Sequence, residues 1–184
     1  MLRLFYRKRL IFDMRKIILN LCMSLDGFIE GPNGEFDWCF TDQDYGMSDF
    51  LARIDTIFFG RHSFDVLQAT APEAFSDKQK IIFSNSLNPK DSKHPIIGEN
   101  WQKTVEEMLQ IDGKDIWLFG GASLTSAMLQ ANLVDELMIA VHPLILGAGK
   151  PLFLDISNRK QLELIDTKTY SSGLVQLVYK MIKE

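Results

Sequence analysis

Cysteine is scarce in this chain. Cys22 and Cys39 are its only two among 184 residues, and neither stands in a paired Cys/His spacing. That pattern supports neither a disulfide framework nor a structural zinc site, so no metal is expected and a reducing cytoplasm is the default. Long apolar runs are missing as well, and nothing approaches the ~20 residues that span a bilayer as a helix. Positive charge is not clustered in the body of the chain, and the net charge is −4. Nucleic acid is therefore not an expected partner, nor is a membrane. No internal repeat, low-complexity segment or linker breaks the sequence.

What is present is the composition of one globular domain, 46% hydrophobic and 24% charged, long enough to bury a substantial core. Residues 1–13 stand apart, with Arg3, Arg7, Lys8 and Arg9 set among Leu, Phe, Tyr and Ile. They lack the long apolar block and small-residue cleavage site of a signal peptide. They read as an N-terminal extension, disordered or from a misassigned start, or as an arm that contacts a second subunit. Residues 14–184 read as a single domain.

Within that domain apolar runs alternate with helical patterns. Lys16 to Met23 reads as a central strand entering a long loop, Ser24 to about Asp37, whose Pro32-Asn33-Gly34 is a turn signal. Asp44 to Arg53 reads as a short helix. Strands are expected over Asp55 to Phe59, Gln79 to Phe83, weakly over Pro95 to Ile97, and over Ile116 to Phe119. Helices are expected over Trp101 to Gln110, with Thr104 as a candidate cap, and over Ala122 to Gln130. Val134 to Leu146 is a long β-like run. Leu162 to Thr169 and Leu174 to Ile182 flank Ser171-Ser172-Gly173 and read as an antiparallel hairpin. The order predicts an α/β fold: a mostly parallel sheet, helices on both faces, and antiparallel strands at the C-terminus.

Two strand ends carry chemistry. Asp115 to Phe119 stops at Gly120-Gly121 and gives way to Ala122-Ser123-Leu124. A strand, a glycine turn and a helix start leave backbone N–H groups at the positive end of a helix dipole, where they hold phosphate. Glycine follows positive φ and leaves no Cβ to block approach. Earlier, Ile57-Phe58-Phe59 closes on Gly60-Arg61-His62-Ser63, with a guanidinium fork in Arg61 and a candidate N-cap hydroxyl in Ser63. Each corner alone also fits a plain turn. Together they fit one extended ligand with several phosphates, bound at the carboxyl ends of strands.

The motifs in order resemble a known family. Ser24-Leu25-Asp26-Gly27-Phe28-Ile29, Asp37-Trp38, Gly60-Arg61-His62-Ser63-Phe64, Ile81-Ile82-Phe83-Ser84-Asn85-Ser86, Phe119 to Leu124 and His142 to Phe153 are similar to the dihydrofolate reductase-like superfamily. They most resemble its riboflavin-biosynthesis reductase domains and their stand-alone relatives. The resemblance implies a three-layer fold, a homodimer through the C-terminal strands, and hydride transfer from NADPH to a small pterin- or pyrimidine-like heterocycle. It implies that Gly60, Arg61, His62 and Ser63 face the adenosine phosphates. Ser84, Asn85 and Ser86 would flank the adenosine, and Phe119, Gly120, Gly121, Ala122, Ser123 and Leu124 would hold the diphosphate. Asn20, Cys22, Asp26, Gly27 and Ile29 would lie against the nicotinamide. Trp38, Asp42 and Asp44 are the candidate catalytic residues, Trp38 as a stacking surface and the two aspartates as partners for the substrate ring. The aspartates fit a helix start equally well. Ser123 stands where dihydrofolate reductases carry a basic residue, and the chain lacks the His/Cys zinc pattern of a fused deaminase. The alternatives are therefore 5-amino-6-(5-phosphoribosylamino)uracil reductase, dihydrofolate reductase proper, and a non-catalytic dinucleotide-binding dimeric module.

Other polar residues have plainer readings. His142 reads as a partly buried structural histidine, His94 as solvent-exposed. Lys150, after Gly147-Ala148-Gly149, meets a substrate phosphate or carboxylate, or simply ends a hairpin turn. Cys22 reads as a small buried hydrophobe and Cys39 as exposed; Trp101 and Trp117 read as core.

Overall fold

A computed structural model describes residues 14–183; the expectation for residues 1–13 lies outside them. The sheet is built from β1 (Ile17–Ser24), β3 (Ile54–Gly60), β4 (Gln79–Phe83), β5 (Ile96–Ile97), β6 (Asp115–Gly120), β7 (Glu136–His142), β9 (Gln161–Thr169) and β10 (Val175–Ile182). Their spatial order is β5-β4-β3-β6-β1-β7-β10-β9. The first six run parallel, and β10 and β9 form the expected antiparallel hairpin.

The central strands are buried on both faces, so they read as near-continuous apolar runs whose side chains alternate between two cores. Ile17 and Leu19 of β1, Phe58 of β3, and Ile116 and Leu118 of β6 enter one core. There they meet Val105 and Leu109 of α3 (Trp101–Leu109) and Met128 and Leu129 of α4 (Ala122–Gln130). Ile18, Ile57, Phe59 and Trp117 point the other way, toward Phe50 of α1 (Met47–Arg53) and Leu67 of α2 (Arg61–Thr70). Phe50 and Phe75 both stand edge-on to Trp117, with centroids 5.3 and 5.1 Å away. The three-layer α/β fold is the one the sequence predicts.

Several local expectations are corrected. The loop after β1 contains a strand, β2 (Phe28–Glu30), which pairs with β8 (Lys150–Pro151). The first helix begins at Met47 rather than Asp44, because Tyr45 and Gly46 take positive φ and turn the chain first. Asn100 rather than Thr104 is the N-cap of α3. The long run from Val134 leaves the sheet after His142, since Pro143 has no N–H to continue the ladder. Trp117 is core as expected, while Trp101 is only partly buried, against the opposite core formed with α3 and α4. His94 is half-buried with its ring edge-on to Phe64 at 5.3 Å, and burial together with Lys80 and Lys93 lowers its pKa.

Candidate functional site

The two glycine corners meet. β3 and β6 are neighbours, with Phe59 opposite Gly120, so both chains leave the sheet side by side at their carboxyl ends. A Cβ built on Gly60 would stand 3.2 Å from the Gly120 carbonyl oxygen. Gly120 and Gly121 have φ of +110° and +37°, backbone that L side chains rarely follow. The Gly121 N–H donates to Ser63 Oγ at 3.1 Å. This corrects the capping role expected of Ser63: Gly60 occupies the N-cap of α2 without a side-chain cap, and the Ser63 hydroxyl ties one corner to the other. Thr125, in the first turn of α4, is wholly buried, yet its hydroxyl has no partner among the described residues.

The corners form the middle of one cavity of about 730 Å³. Because of the strand order, it runs across the carboxyl ends of β4, β3, β6 and β1. Arg61, His62, Ser63, Ser84 and Asn85 line the β4 side, and Gly60 with Phe119 to Thr125 lines the centre. Asn20, Cys22, Ile29, Glu30, Phe36, Cys39, Met47 and Lys150 line the β1 side. Arg61 Nη1 donates to Ser86 Oγ at 2.8 Å, and its Nε lies 3.5 Å from Asp65. The guanidinium is about half exposed, so the Asp65 pair contributes little to stability. Lys150 and Glu30 form an ion pair across the small β2–β8 sheet.

Some predicted residues stand outside the cavity wall. Asp26 accepts from Ser24 Oγ at 2.7 Å and from the Leu146 and Gly147 N–H groups at 3.1 and 2.8 Å. These bonds hold its carboxyl below the usual range and tether the 143–149 turn. Gly27 supplies a turn with φ +89°. Ser86 touches the site through Arg61 and through Ser84, whose Oγ accepts the Ser86 N–H at 3.2 Å. The geometry does not bring Asp42 and Asp44 to the cavity. Asp42 accepts from the Tyr45 hydroxyl at 2.8 Å. Asp44 accepts from the Ser48 hydroxyl and N–H at 2.7 and 3.0 Å, which lowers its pKa and anchors the start of α1. The helix-start role is the one its contacts describe. Trp38 stands edge-on to His142 at 5.3 Å instead of lining the wall.

His142 is wholly buried, not partly as the sequence suggests. Its Nδ1 bonds the Ala140 carbonyl at 3.1 Å, and its Nε2 accepts the Phe40 N–H at 3.0 Å. Burial lowers its pKa, against a smaller opposing effect of the Ala140 bond, and both contacts suit the neutral ring. Cys39 is half-buried beside Cys22 rather than exposed, and Cys22 is itself only half-buried. Both sulfurs and a His142 nitrogen lie within 4.8 Å of one another. Sequence reasoning missed this grouping, and it missed Thr125 and Glu30. Thr125 carries a local signal, four residues after Gly121 and hence one turn into the helix. Glu30 carries none, because its place depends on the pairing of β2 with β8.

Comparison with known proteins places the chain among relatives. The family model of the RibD C-terminal domain matches residues 15–176. The chain is 45% identical to uncharacterized protein YyaP of Bacillus subtilis (strain 168) over 177 residues, covering 90% of this chain and 94% of YyaP. It is 33% identical to YwjB of the same organism over 170 residues, covering 90% and 97%. Among solved structures, a putative riboflavin biosynthesis protein from Shewanella sp. PV-4 superposes with a TM-score of 0.79 at 21% identity, covering 91% of this chain and 99% of that one. A diaminohydroxyphosphoribosylaminopyrimidine deaminase/5-amino-6-(5-phosphoribosylamino)uracil reductase from Thermotoga maritima superposes at 0.66 with 12% identity, covering 92% and 57%.

Proposed function

The chain belongs to the RibD C-terminal domain family, and we propose that residues 14–184 act as a single-domain reductase that takes a hydride from NADPH to a small pyrimidine-like heterocycle. The observation that carries this reading is the continuity of one cavity from Arg61 to Lys150, past two side-chain-free corners in contact. The bare backbone at Gly60, Gly120 and Gly121 and the N-terminus of α4 suit a diphosphate. The buried Thr125 hydroxyl, without a partner among the described residues, suits the same ligand, since buried polar groups are ordinarily satisfied. Arg61, His62, Ser84 and Asn85 suit an adenosine bearing a 2′-phosphate, which favours NADPH over NADH.

Bound there, the coenzyme supplies the hydride. The chain's own contribution is placement and exclusion of water. Ile29, Phe36 and Met47 give the β1 side an apolar wall, which keeps solvent from the reacting centre. Glu30 and Lys150 offer that side one carboxylate and one ammonium. They suit a ring that presents both N–H donors and carbonyl acceptors, as a pyrimidine does. His142 and Trp38 act at one remove, by fixing Phe40 and the loop that carries Cys39. The uracil reductase activity named for the Thermotoga maritima neighbour is the reason for a pyrimidine rather than a folate.

The reading includes a homodimer in the cytoplasm. Every residue of β9 is exposed, including Leu162, Leu164 and Ile165, and Ile182 of β10 is exposed beside them. A long exposed edge strand that carries such apolar side chains invites pairing with a second copy. No helix among the described residues is long and apolar enough to cross a membrane.

The decisive experiment titrates the protein with NADPH and NADH while following nicotinamide fluorescence. Coenzyme oxidation is then measured with ribosylaminopyrimidines and with dihydrofolate. Tighter binding of NADPH and turnover of a pyrimidine are expected. Binding of neither dinucleotide would end the proposal.

A further inference from the structure

The wall of the cavity carries two thiols that the proposed reduction leaves idle. Cys22 sits within β1, opposite Ala140 of β7. Cys39 sits on the loop between β2 and α1, in a turn closed by its N–H donating to the Phe36 carbonyl at 3.1 Å. Both are half-buried and both open onto the cavity.

With His142, the sulfurs form a cluster spaced as ligands of a soft metal would be. The histidine argues against that use. Both of its ring nitrogens are engaged, and a metal at Nε2 would strip the Phe40 N–H of its acceptor, leaving a desolvated donor unpaired. The thiols face each other without such competition. Cys39 is placed to donate to the Cys22 sulfur, which lowers the Cys22 pKa, while the same contact and burial raise that of Cys39. Cys22 thus reaches the thiolate first, and the thiolate is the nucleophile.

We propose that Cys22 and Cys39 are a redox-modifiable pair, which a peroxide oxidises to a disulfide at the heterocycle side of the cavity. The Cys22 thiolate attacks one oxygen of hydrogen peroxide, and the O–O bond breaks. Cys22 becomes a sulfenic acid, and the departing hydroxide gains the proton that Cys22 released, giving water. The Cys39 thiolate then attacks the Cys22 sulfur, the S–O bond breaks, and the hydroxyl leaves with the Cys39 proton as a second water. Two thiols are oxidised by two electrons, and one peroxide is reduced to two waters. A sulfur–sulfur bond of about 2 Å draws the Cys39 loop toward β1. Phe36, on the same loop and also in the wall, moves with it and narrows the β1 side. The two thiols react in this way whatever substrate the cavity takes.

The test treats reduced protein with hydrogen peroxide, blocks remaining thiols with an alkylating reagent, and reads intact mass and mapped peptides. The expected result is loss of both thiols together, a cross-linked peptide joining Cys22 to Cys39, and recovery of both with dithiothreitol. Cys39→Ser is expected to stop at a sulfenic acid on Cys22, trapped by dimedone. Two thiols still alkylated after a dose that oxidises free cysteine, or separate sulfinic acids without a cross-link, would overturn the proposal. So would protection of the thiols by equimolar zinc that disappears in His142→Gln, which would make the cluster a metal site. None of these readouts involves the coenzyme, so their failure is distinguishable from failure of the reductase reading.

Discussion

Ser63 accepts a hydrogen bond from the Gly121 N–H at 3.1 Å, joining residues that leave the sheet on different strands. The bond fixes how far apart the two glycine corners stand and aims the backbone on either side of it. It also explains why a serine stands inside the first turn of α2, where no cap is needed.

Ser63→Ala removes that acceptor and leaves a half-buried N–H unpaired. A loss of about 1 kcal/mol of stability is expected, with NADPH binding weakened as the corners lose their registration. Chemical denaturation and fluorescence titration check the two effects. No change in either would show the bond to be incidental.

Gly120→Ala places an L side chain at φ +110°. Among the described residues the added Cβ would meet only Thr125 Oγ1, at an ordinary 3.5 Å, so the penalty is conformational rather than steric. A destabilisation of about 1–3 kcal/mol is expected, read from the midpoint of urea unfolding.

Thr125→Val separates binding from stability. The swap keeps the shape and deletes a buried hydroxyl that has no partner among the described residues. Stability is expected to hold or rise, because an unmet polar group is removed. NADPH affinity is expected to fall about tenfold, roughly one hydrogen bond. Unchanged affinity would remove Thr125 from the site.

Arg61→Ala tests coenzyme choice. Its contacts with Ser86 and Asp65 are at the surface, so stability should shift by no more than about 0.5 kcal/mol. NADPH binding is expected to weaken about tenfold or more, as loss of a charge-assisted phosphate contact would do, with NADH binding little altered. Equal losses for both dinucleotides would contradict the role.

His142 links folding to pH. Burial lowers its pKa in the native protein below the unfolded value of about 6.5. The unfolded chain therefore takes up a proton first as pH falls. Stability is expected to be level with respect to this residue above about pH 6.5, and to decline below it until the native ring also protonates. His142→Gln should flatten that part of the slope, leaving the share from His94, whose pKa is lowered too. Denaturation midpoints between pH 5 and 8 give the comparison.

Much of this molecule is readable residue by residue. The ends of β4 and α4 fall where the residue pattern puts them, because apolar periodicity and glycine breaks act over a few neighbouring residues. The same locality explains why the strand, glycine turn and helix start around Gly120 and Gly121 are recognisable from the sequence. Boundaries failed where a competing local geometry intervened, as at Tyr45 and Gly46 before α1. Hidden contacts are those made by strand order. That Gly60 touches Gly120 follows from β6 lying beside β3. That Lys150 meets Glu30 follows from β2 pairing with β8, and Cys39 reaches Cys22 only once the intervening loop folds back over β1. Side chains such as Asp42 and Asp44, attractive as chemistry in the linear chain, are diverted to nearby hydroxyls and amides before they can reach the cavity. Pattern over a few residues encodes the elements and their glycine-tipped ends. Which ends adjoin, and so which groups share one cavity, is settled by the packing of distant segments, because contact across a sheet has no signature in local spacing.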